Sequence, residues 1–341
     1  MTRPQFERAR LRLARELMGW SQSRLAKEVK LTPAAISQFE SGAGSPSDET
    51  VARLSAALHV PRVFFDQPLT ETHEGFFRAL RRTSVTERRR ARAIAHIAHD
   101  LVSGPMAVER LPVLSIPSVP TPPVEASADR IEQIALLTRS AWGLPPGPVQ
   151  NVVELLEAHG VVIIRLPLRT ADVDAFSLPF PDHPVVVLGA DKDDRARSRF
   201  DAAHELGHLI MHGEQVWGLK EIETQAHRFA AAFLMPAQDI ISELPNTVDW
   251  PYLFTLKKRW QVSLAALLMR ARTLGRITEA QYVSAIKTAS ARGWRRIEPA
   301  PLGRPERPRA LAGLLASEKA RSAASGLPDH LVESIVTATA A

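Results

Sequence analysis

Cysteine is absent from the 341-residue chain. Its absence excludes disulfide frameworks, thiolate zinc fingers, cysteine-ligated iron–sulfur clusters and cysteine nucleophiles, so a metal site would have to use His, Asp or Glu. The sequence also lacks a run of the roughly 20 apolar residues that a membrane span requires. The opening Met-Thr-Arg-Pro has no apolar signal-peptide core. Together these absences predict a cytoplasmic protein that does not bind a membrane.

The excess of positive charge is confined to the first 100 residues, which hold 17 basic and 11 acidic side chains, whereas the remainder holds equal numbers. With 45% hydrophobic and 23% charged residues, the composition is that of a globular protein of about two domains. A basic segment next to a neutral remainder is typical of a phosphate-binding module joined to a different domain. A solvated basic face would give the same charge distribution.

The spacing of apolar residues and prolines divides the chain into five parts. Residues 1–67 have the helical spacing and capping residues of a compact helical bundle. Basic connecting helices are predicted over 68–102, a semi-rigid proline-rich linker over 103–128, and a mixed domain over 129–299. Residues 300–341 form a tail whose role the sequence does not indicate. The expected fold class is mainly α with a small β-sheet (α+β).

Two short strands and two long helices are central to the predicted mixed domain. The apolar runs 161–164 and 184–188 are short enough to be strands, and we expect them to belong to one small sheet. Helical spacing returns over 195–213 and 223–234. The residues with recognisable chemistry lie on these two helices.

Residues 21–40 have the pattern of a helix, a tight turn and a second helix. Ser21 and Thr32 suit the N-cap positions, and Pro33 suits the first position of the second helix. Several further residues match a known pattern, namely Gln22, Leu25, Ala26, Ile36, Ser37, Glu40, Gly42 and Pro46. With them, the sequence resembles the lambda-repressor-like, XRE-type helix-turn-helix family over about residues 8–66.

That resemblance implies a set of DNA contacts. Gln22 would bind a backbone phosphate, and Ala34, Ser37 and Gln38 would face base edges in the major groove. The Gln38 amide can pair with adenine, and the Ala34 methyl can contact thymine. We add Thr32, at the start of the second helix, to the predicted contacts. The predicted partner is a double-stranded DNA operator bound by a homodimer, although a helix-turn-helix can also serve only as a docking module.

A second motif, His-Glu-x-x-His, occupies residues 204–208. On a helix, His204 and His208 lie one turn apart on the same face, so both imidazoles can reach one zinc ion. Glu205 lies beside them and can take a proton from a water molecule. A catalytic zinc needs a third protein ligand. Glu223 and His227 are both candidates, because their i, i+4 spacing puts them on one face of the next helix.

Two longer motifs extend this pattern. His-Glu-Leu-Gly-His-Leu-Ile-Met-His at 204–212 and Glu-Thr-Gln-Ala-His-Arg-Phe-Ala-Ala-Ala-Phe-Leu-Met-Pro at 223–236 resemble those of the ImmA/IrrE-type metallopeptidases, over roughly residues 129–297. The resemblance implies a zincin-like domain that binds Zn²⁺, with Glu205 as the catalytic base and Glu223 as the third metal ligand.

Two further histidines, His212 and His227, lie near these motifs. His227 stands where the family commonly has Asn or Asp, so a variant with His227 as the third ligand stays open. His212 lies two helical turns, about 12 Å, beyond His204 and is predicted to pack or to support the site rather than to bind the same ion.

The two resemblances together imply a DNA-binding transcription regulator that carries a zinc-dependent endopeptidase. The implied substrate is a transcriptional repressor, or the chain's own proline-rich linker. The competing interpretation is a transcription regulator, for example an antitoxin-like one, whose metallopeptidase-like domain is a non-catalytic sensor.

Overall fold

The computed structural model describes residues 6–70, 72, 84–103, 111–122, 127–168, 175–191, 193–213, 220–316, 327, 332, 333 and 335. Within these residues the fold is mainly α-helical with one small β-sheet, as predicted. The chain divides into two compact units. Unit 1 comprises Met1–Leu114, Gly160–Asp191 and Pro308–Ala341, and unit 2 comprises Ser115–His159 and Lys192–Arg307. None of the described helices is long and apolar enough to span a membrane.

The units divide the chain differently from the predicted domains. Residues 160–191 lie in the same unit as the N-terminal bundle, although the sequence pattern places them in the mixed domain. The physical reason is that a unit is defined by which elements pack together, and the periodicity of a sequence shows only which face of each element is apolar. The predicted boundaries at 67, 102, 128 and 299 stay predictions.

Four helices and one 3-10 turn form the N-terminal bundle of unit 1. They are α1 (Arg8–Leu17), α2 (Gln22–Glu28), α3 (Pro33–Ser41), α4 (Asp48–Leu58) and the 3-10 turn Arg62–Asp66. Ser21, Thr32 and Ser47 cap α2, α3 and α4, each accepting a hydrogen bond from the backbone N–H three residues later. Gly42 ends α3 with a φ of 80°, in the left-handed region that favours glycine.

A long basic helix and a three-stranded sheet follow in unit 1. Helix α5 (Val85–Val102) packs against α1. The sheet consists of β1 (Val162–Leu166), β2 (Ala175–Leu178) and β3 (Val185–Gly189) in the order β1-β3-β2. β1 pairs with β3 in parallel and β2 pairs with β3 antiparallel, which confirms the predicted strand pair. Both β1 and β3 pack against α5. β2 was not predicted, because four residues are too few to show an alternating pattern.

The secondary-structure elements of unit 2 are all α-helices within its described residues. Its helices are α6 (Ala128–Ala141), α7 (Val152–Ala158), α8 (Arg195–Met211), α9 (Lys220–Leu234), α10 (Ala237–Ile240), α11 (Trp250–Trp260), α12 (Leu264–Thr273) and α13 (Glu279–Ala291). Helix α9 packs against both α6 and α8. The contact between α8 and α9 brings the predicted chemistry together. A last helix, α14 (Ala310–Leu315), belongs to unit 1 and packs against β1.

One carboxylate of the predicted tail is a buried anchor of unit 2. Glu306, only 6% exposed, accepts hydrogen bonds from the backbone N–H groups of Val152 and Val153 at the start of α7. It also forms an ion pair with the buried Arg199 of α8. Negative charge at a helix N-terminus is stabilising, and the guanidinium compensates the burial of the carboxylate. The beginning of the tail is therefore part of the packed structure.

Candidate metal centre and nucleic-acid interface

Helices α8 and α9 bring the three predicted metal ligands together. One ligand atom from each of His204, His208 and Glu223 lies within 4.8 Å of the other two. The Nε2 atoms of the two histidines are 3.0 Å apart, and Oε2 of Glu223 lies 3.4 Å from Nε2 of His204 and 3.9 Å from Nε2 of His208. Two imidazole nitrogens and one carboxylate oxygen are a donor set of catalytic zinc sites, with a fourth position open. The residues therefore fit the metal that the sequence motif implies.

Gly207 permits the close approach of the two helices at this point. A Cβ atom built on Gly207 would lie 2.9 Å from the ring of Phe229 on α9, closer than real Cβ contacts allow. Because α9 carries Glu223, the spacing between the helices also sets the reach of this carboxylate to the histidines. The glycine of the His-Glu-Leu-Gly-His motif thus has a packing reason in addition to any chemical one.

The other candidate for the third ligand lies outside the cluster. Among the described residues, the group that converges within 4.8 Å contains Glu223 and not His227. His227 is exposed, and its ring lies against the rings of Phe200 and His204 with centroids 5.1 and 5.0 Å apart. The geometry favours Glu223, while the assignment of the ligands stays a prediction.

The charges around the two histidines differ. Burial, together with the neighbouring histidines, holds the pKa of His208 well below its ordinary value. Burial alone would lower the pKa of His204 as well, but a hydrogen bond to Glu223 and the charges of Glu205, Glu223 and Asp201 raise it overall. Glu205 itself is only 3% exposed. The site therefore combines a neutral imidazole with a concentration of negative charge that attracts a cation.

Two buried side chains, His212 and Gln225, support His208, and the sequence predicted a supporting position only for His212. His212, 1% exposed, places its Nδ1 3.0 Å from Nδ1 of His208, so it contacts the ring nitrogen that does not face the cluster. Nε2 of His212 is 2.8 Å from Oε1 of the buried Gln225. The predicted supporting position of His212 agrees with this geometry. Nothing in the sequence pattern singles out Gln225, because its contact with His212 spans 13 positions on two helices.

The predicted DNA-facing residues of α3 lie on its open side. Thr32, Ala34, Ser37 and Gln38 are exposed, whereas Ile36 is fully buried. The Thr32 hydroxyl accepts a hydrogen bond from the N–H of Ala35 at 3.2 Å and so caps the helix. The exposed set contains the small and amide side chains that base edges can accommodate.

Gln22, the predicted phosphate contact, is half-buried and is hydrogen-bonded to a buried carboxylate. Its Nε2 donates a hydrogen bond to Glu40 at 2.8 Å. Arg15 donates to both carboxylate oxygens of Glu40 at 2.6 and 2.9 Å, and both side chains of this pair are buried. Each amide nitrogen carries two hydrogens. The second N–H of Gln22 is therefore available to an acceptor such as a phosphate oxygen.

Comparison with known protein families finds a match over each of the two regions. A family model described as helix-turn-helix matches residues 11–65, and the model of a peptidase family described as IrrE N-terminal-like domain matches residues 156–272. No curated protein matches the chain. The first match contains α2 and α3, and the second contains the sheet and the helices with His204, His208 and Glu223. The chain therefore joins an XRE-type helix-turn-helix domain to an IrrE N-terminal-like domain of metallopeptidase type.

Proposed function

We propose that the chain is a sequence-specific DNA-binding transcription regulator with a zinc-dependent endopeptidase activity. The observation that supports the peptidase most strongly is the convergence of His204, His208 and Glu223 within 4.8 Å, with the buried Glu205 on the same helix as the two histidines. A domain that only sensed a metal would need the three ligands but not a glutamate placed to act as a base.

Each residue of the site has a separate task in this proposal. His204, His208 and Glu223 would hold the metal ion. The chemistry that zinc supplies at such a site is polarisation of the scissile carbonyl and a lowering of the pKa of water to about 7. Glu205 accepts the proton of the attacking water and donates it to the leaving amine.

The DNA-binding function rests on α3 and its support. Ala34, Ser37 and Gln38 read base edges in the major groove, Thr32 lies at the entry of the helix, and Gln22 binds a backbone phosphate. One such helix covers only a few base pairs, so specific binding to an operator requires a homodimer.

The substrate is a protein whose cleavage changes gene expression. By the family resemblance it is a transcriptional repressor, and the chain's own residues 103–128 are the other substrate that fits. Cleavage within 103–128 would cut the covalent link between the helix-turn-helix and the residues matched by the IrrE-like family model.

The test is a comparison of protein N-termini in cells that express the wild type, Glu205→Gln or Glu221→Gln. Glu221 is an exposed residue of α9 and makes a matched control. We expect new N-termini with the wild type and the control, and none with Glu205→Gln, which keeps its zinc. A new terminus within 103–128 identifies self-cleavage, and one in a second protein identifies the substrate. Identical termini in all three strains, in resting and stressed growth, would refute the peptidase activity.

A further inference from the structure

A short stretch of the proline-rich region is bound along the end of the metal-binding helix. The backbone N–H groups of Val119 and Thr121 donate to the carbonyls of Ile210 and Met211 at 2.9 and 2.8 Å. We call residues 119–122 the docked segment. The last residues of α8 have no partners within the helix for their carbonyls, so these two hydrogen bonds satisfy groups that helix ends leave open.

Pro122 fixes the orientation of the Gln225 side chain. Its carbonyl oxygen lies 3.0 Å from Nε2 of Gln225. A carbonyl can only accept, so the atom of Gln225 that faces it must be the amide nitrogen. The amide oxygen Oε1 then faces Nε2 of His212 at 2.8 Å. An amide oxygen can only accept, so Nε2 of His212 carries the hydrogen.

The same reasoning extends to the metal cluster. The two Nδ1 atoms of His212 and His208 are 3.0 Å apart, and one of them must donate to the other. Neutral His212 has its hydrogen on Nε2, so its Nδ1 accepts and Nδ1 of His208 donates. Neutral His208 is then left with a bare Nε2. This is the atom that lies 3.0 Å from Nε2 of His204 and 3.9 Å from Glu223.

We propose that the docked segment positions His208 for metal binding: the Pro122 carbonyl, acting through Gln225 and His212, selects the tautomer of His208 that presents a bare Nε2 to the metal. Gln225 and His212 are positioning residues in this relay. The inference rests on the proposed metal site. By linkage, metal binding then strengthens the docking of residues 119–122 as much as docking strengthens metal binding.

The relay treats the two histidine ligands differently. Among the described residues, Nδ1 of His204 is buried without a hydrogen-bond partner, whereas Nδ1 of His208 has His212. Metal-binding histidines are normally oriented by a partner on their second ring nitrogen, and loss of such a partner typically lowers metal affinity about 10–100-fold. Within the described part of the chain, the docked segment therefore acts on the histidine whose second ring nitrogen has a hydrogen-bond partner. The docked segment lies in the sequence between the two regions matched by the family models. Because the segment positions His208, its displacement would weaken the metal site.

Two substitutions of Gln225 separate the steps of the relay. Gln225→Leu removes both the acceptor for His212 and the donor to Pro122. Gln225→Glu keeps an oxygen that accepts from His212 but places a second oxygen against the Pro122 carbonyl. Thr224→Ala, at an exposed position of the same helix, is the control. Zinc affinity of the full-length protein is measured by competition with a chelator, and amide hydrogen exchange of Val119 and Thr121 is measured with and without zinc.

We expect Gln225→Leu to bind zinc about 10–100-fold more weakly than the wild type. Gln225→Glu should bind zinc within a few-fold of the wild type and yet lose the zinc-dependent protection of Val119 and Thr121. The control should match the wild type in both measurements. Equal zinc affinity of Gln225→Leu and wild type, or equally weak binding by the Leu and Glu variants, would overturn the relay.

The tautomers of His208 and His212 can also be measured directly by spectroscopy on the metal-free wild type. This measurement needs neither zinc nor a folded variant. Long-range ¹⁵N–¹H spectra of the histidine rings should show the hydrogen of His208 on Nδ1 and that of His212 on Nε2. The reverse assignment would overturn the relay. If the wild type has these tautomers but binds no zinc, the proposed metal site fails and the relay stands.

Discussion

The predicted recognition helix α3 and helix α8, which carries the candidate metal ligands, differ in what their predicted functions depend on. The predicted DNA contacts of α3 are exposed side chains on a single helix, and the bundle beneath supports them. The candidate metal ligands of α8 depend on a carboxylate from α9, on a glycine that lets α9 approach, and on a histidine whose partner contacts the docked segment. A surface that reads DNA can thus be inferred from one amphipathic helix, whereas a metal site is completed by residues that are distant in sequence.

In both helices, buried polar contacts nevertheless orient a side chain with a predicted function. Arg15 of α1 and Glu40 of α3 form a buried ion pair, and Gln22 donates a hydrogen bond to Glu40. Beside α8, His212 and Gln225 hold His208. In each case the side chain predicted to function is oriented by a second group, and removal of that group should have effects of different kinds: on folding for α3 and on metal affinity for α8.

Replacement of Glu40 should have the largest effect on stability. Glu40→Ala leaves the guanidinium of Arg15 buried without its carboxylate, which typically costs about 3–5 kcal/mol of unfolding free energy. Glu28→Ala, at an exposed position of α2, is the control and should change stability by less than about 0.5 kcal/mol. Denaturant unfolding of the full chain measures both. Equal stabilities of the two variants would show that the Arg15–Glu40 pair is dispensable for stability.

Replacement of Gly207 should have the next largest effect and should act on the metal site. The added methyl group of Gly207→Ala meets the Phe229 ring, and such overpacking typically costs about 1–3 kcal/mol. Because α9 must shift, zinc affinity should fall together with the thermal midpoint. Gly313→Ala, in α14, is the control, since a Cβ there meets no atom within 4 Å. Unchanged zinc affinity of Gly207→Ala would show that the spacing between α8 and α9 does not control zinc binding.

Replacement of Gln38 should leave folding intact and act on DNA recognition. We expect Gln38→Ala to relax the preference at one base pair by about 1–3 kcal/mol, measured by selection from randomised DNA. Its exposed side chain makes a small contribution to stability, so the thermal midpoint should hold. Uniform weakening across all DNA sequences would show that Gln38 contacts phosphate instead.

Local signals in the sequence predicted much of the fold and the core of the site. Capping residues such as Ser21 and Thr32 marked the helix starts, and the apolar runs marked β1 and β3. The i, i+4 spacing of His204 and His208 put them on one face, and the family resemblance selected Glu223, which lies with them.

What the sequence did not show depends on contacts between distant residues. The anchoring of Glu306 at α7 joins positions more than 150 residues apart, and the contact of Pro122 with Gln225 joins positions 103 apart. Neither leaves a periodic pattern. The grouping of the strands with the N-terminal bundle likewise follows from the packing of α5 against β1 and β3, which no local spacing indicates.

The most direct test of the three-ligand site is a zinc titration of the full-length wild type, Glu223→Ala and His227→Ala. The geometry predicts one tightly bound zinc per chain in the wild type and in His227→Ala, with affinities within a few-fold of each other. Loss of a residue that only supports a metal ligand lowers metal affinity by up to about 100-fold. Glu223→Ala should lower zinc affinity by more than this, because it removes a ligand. Loss of zinc in His227→Ala with tight binding retained in Glu223→Ala would contradict the site.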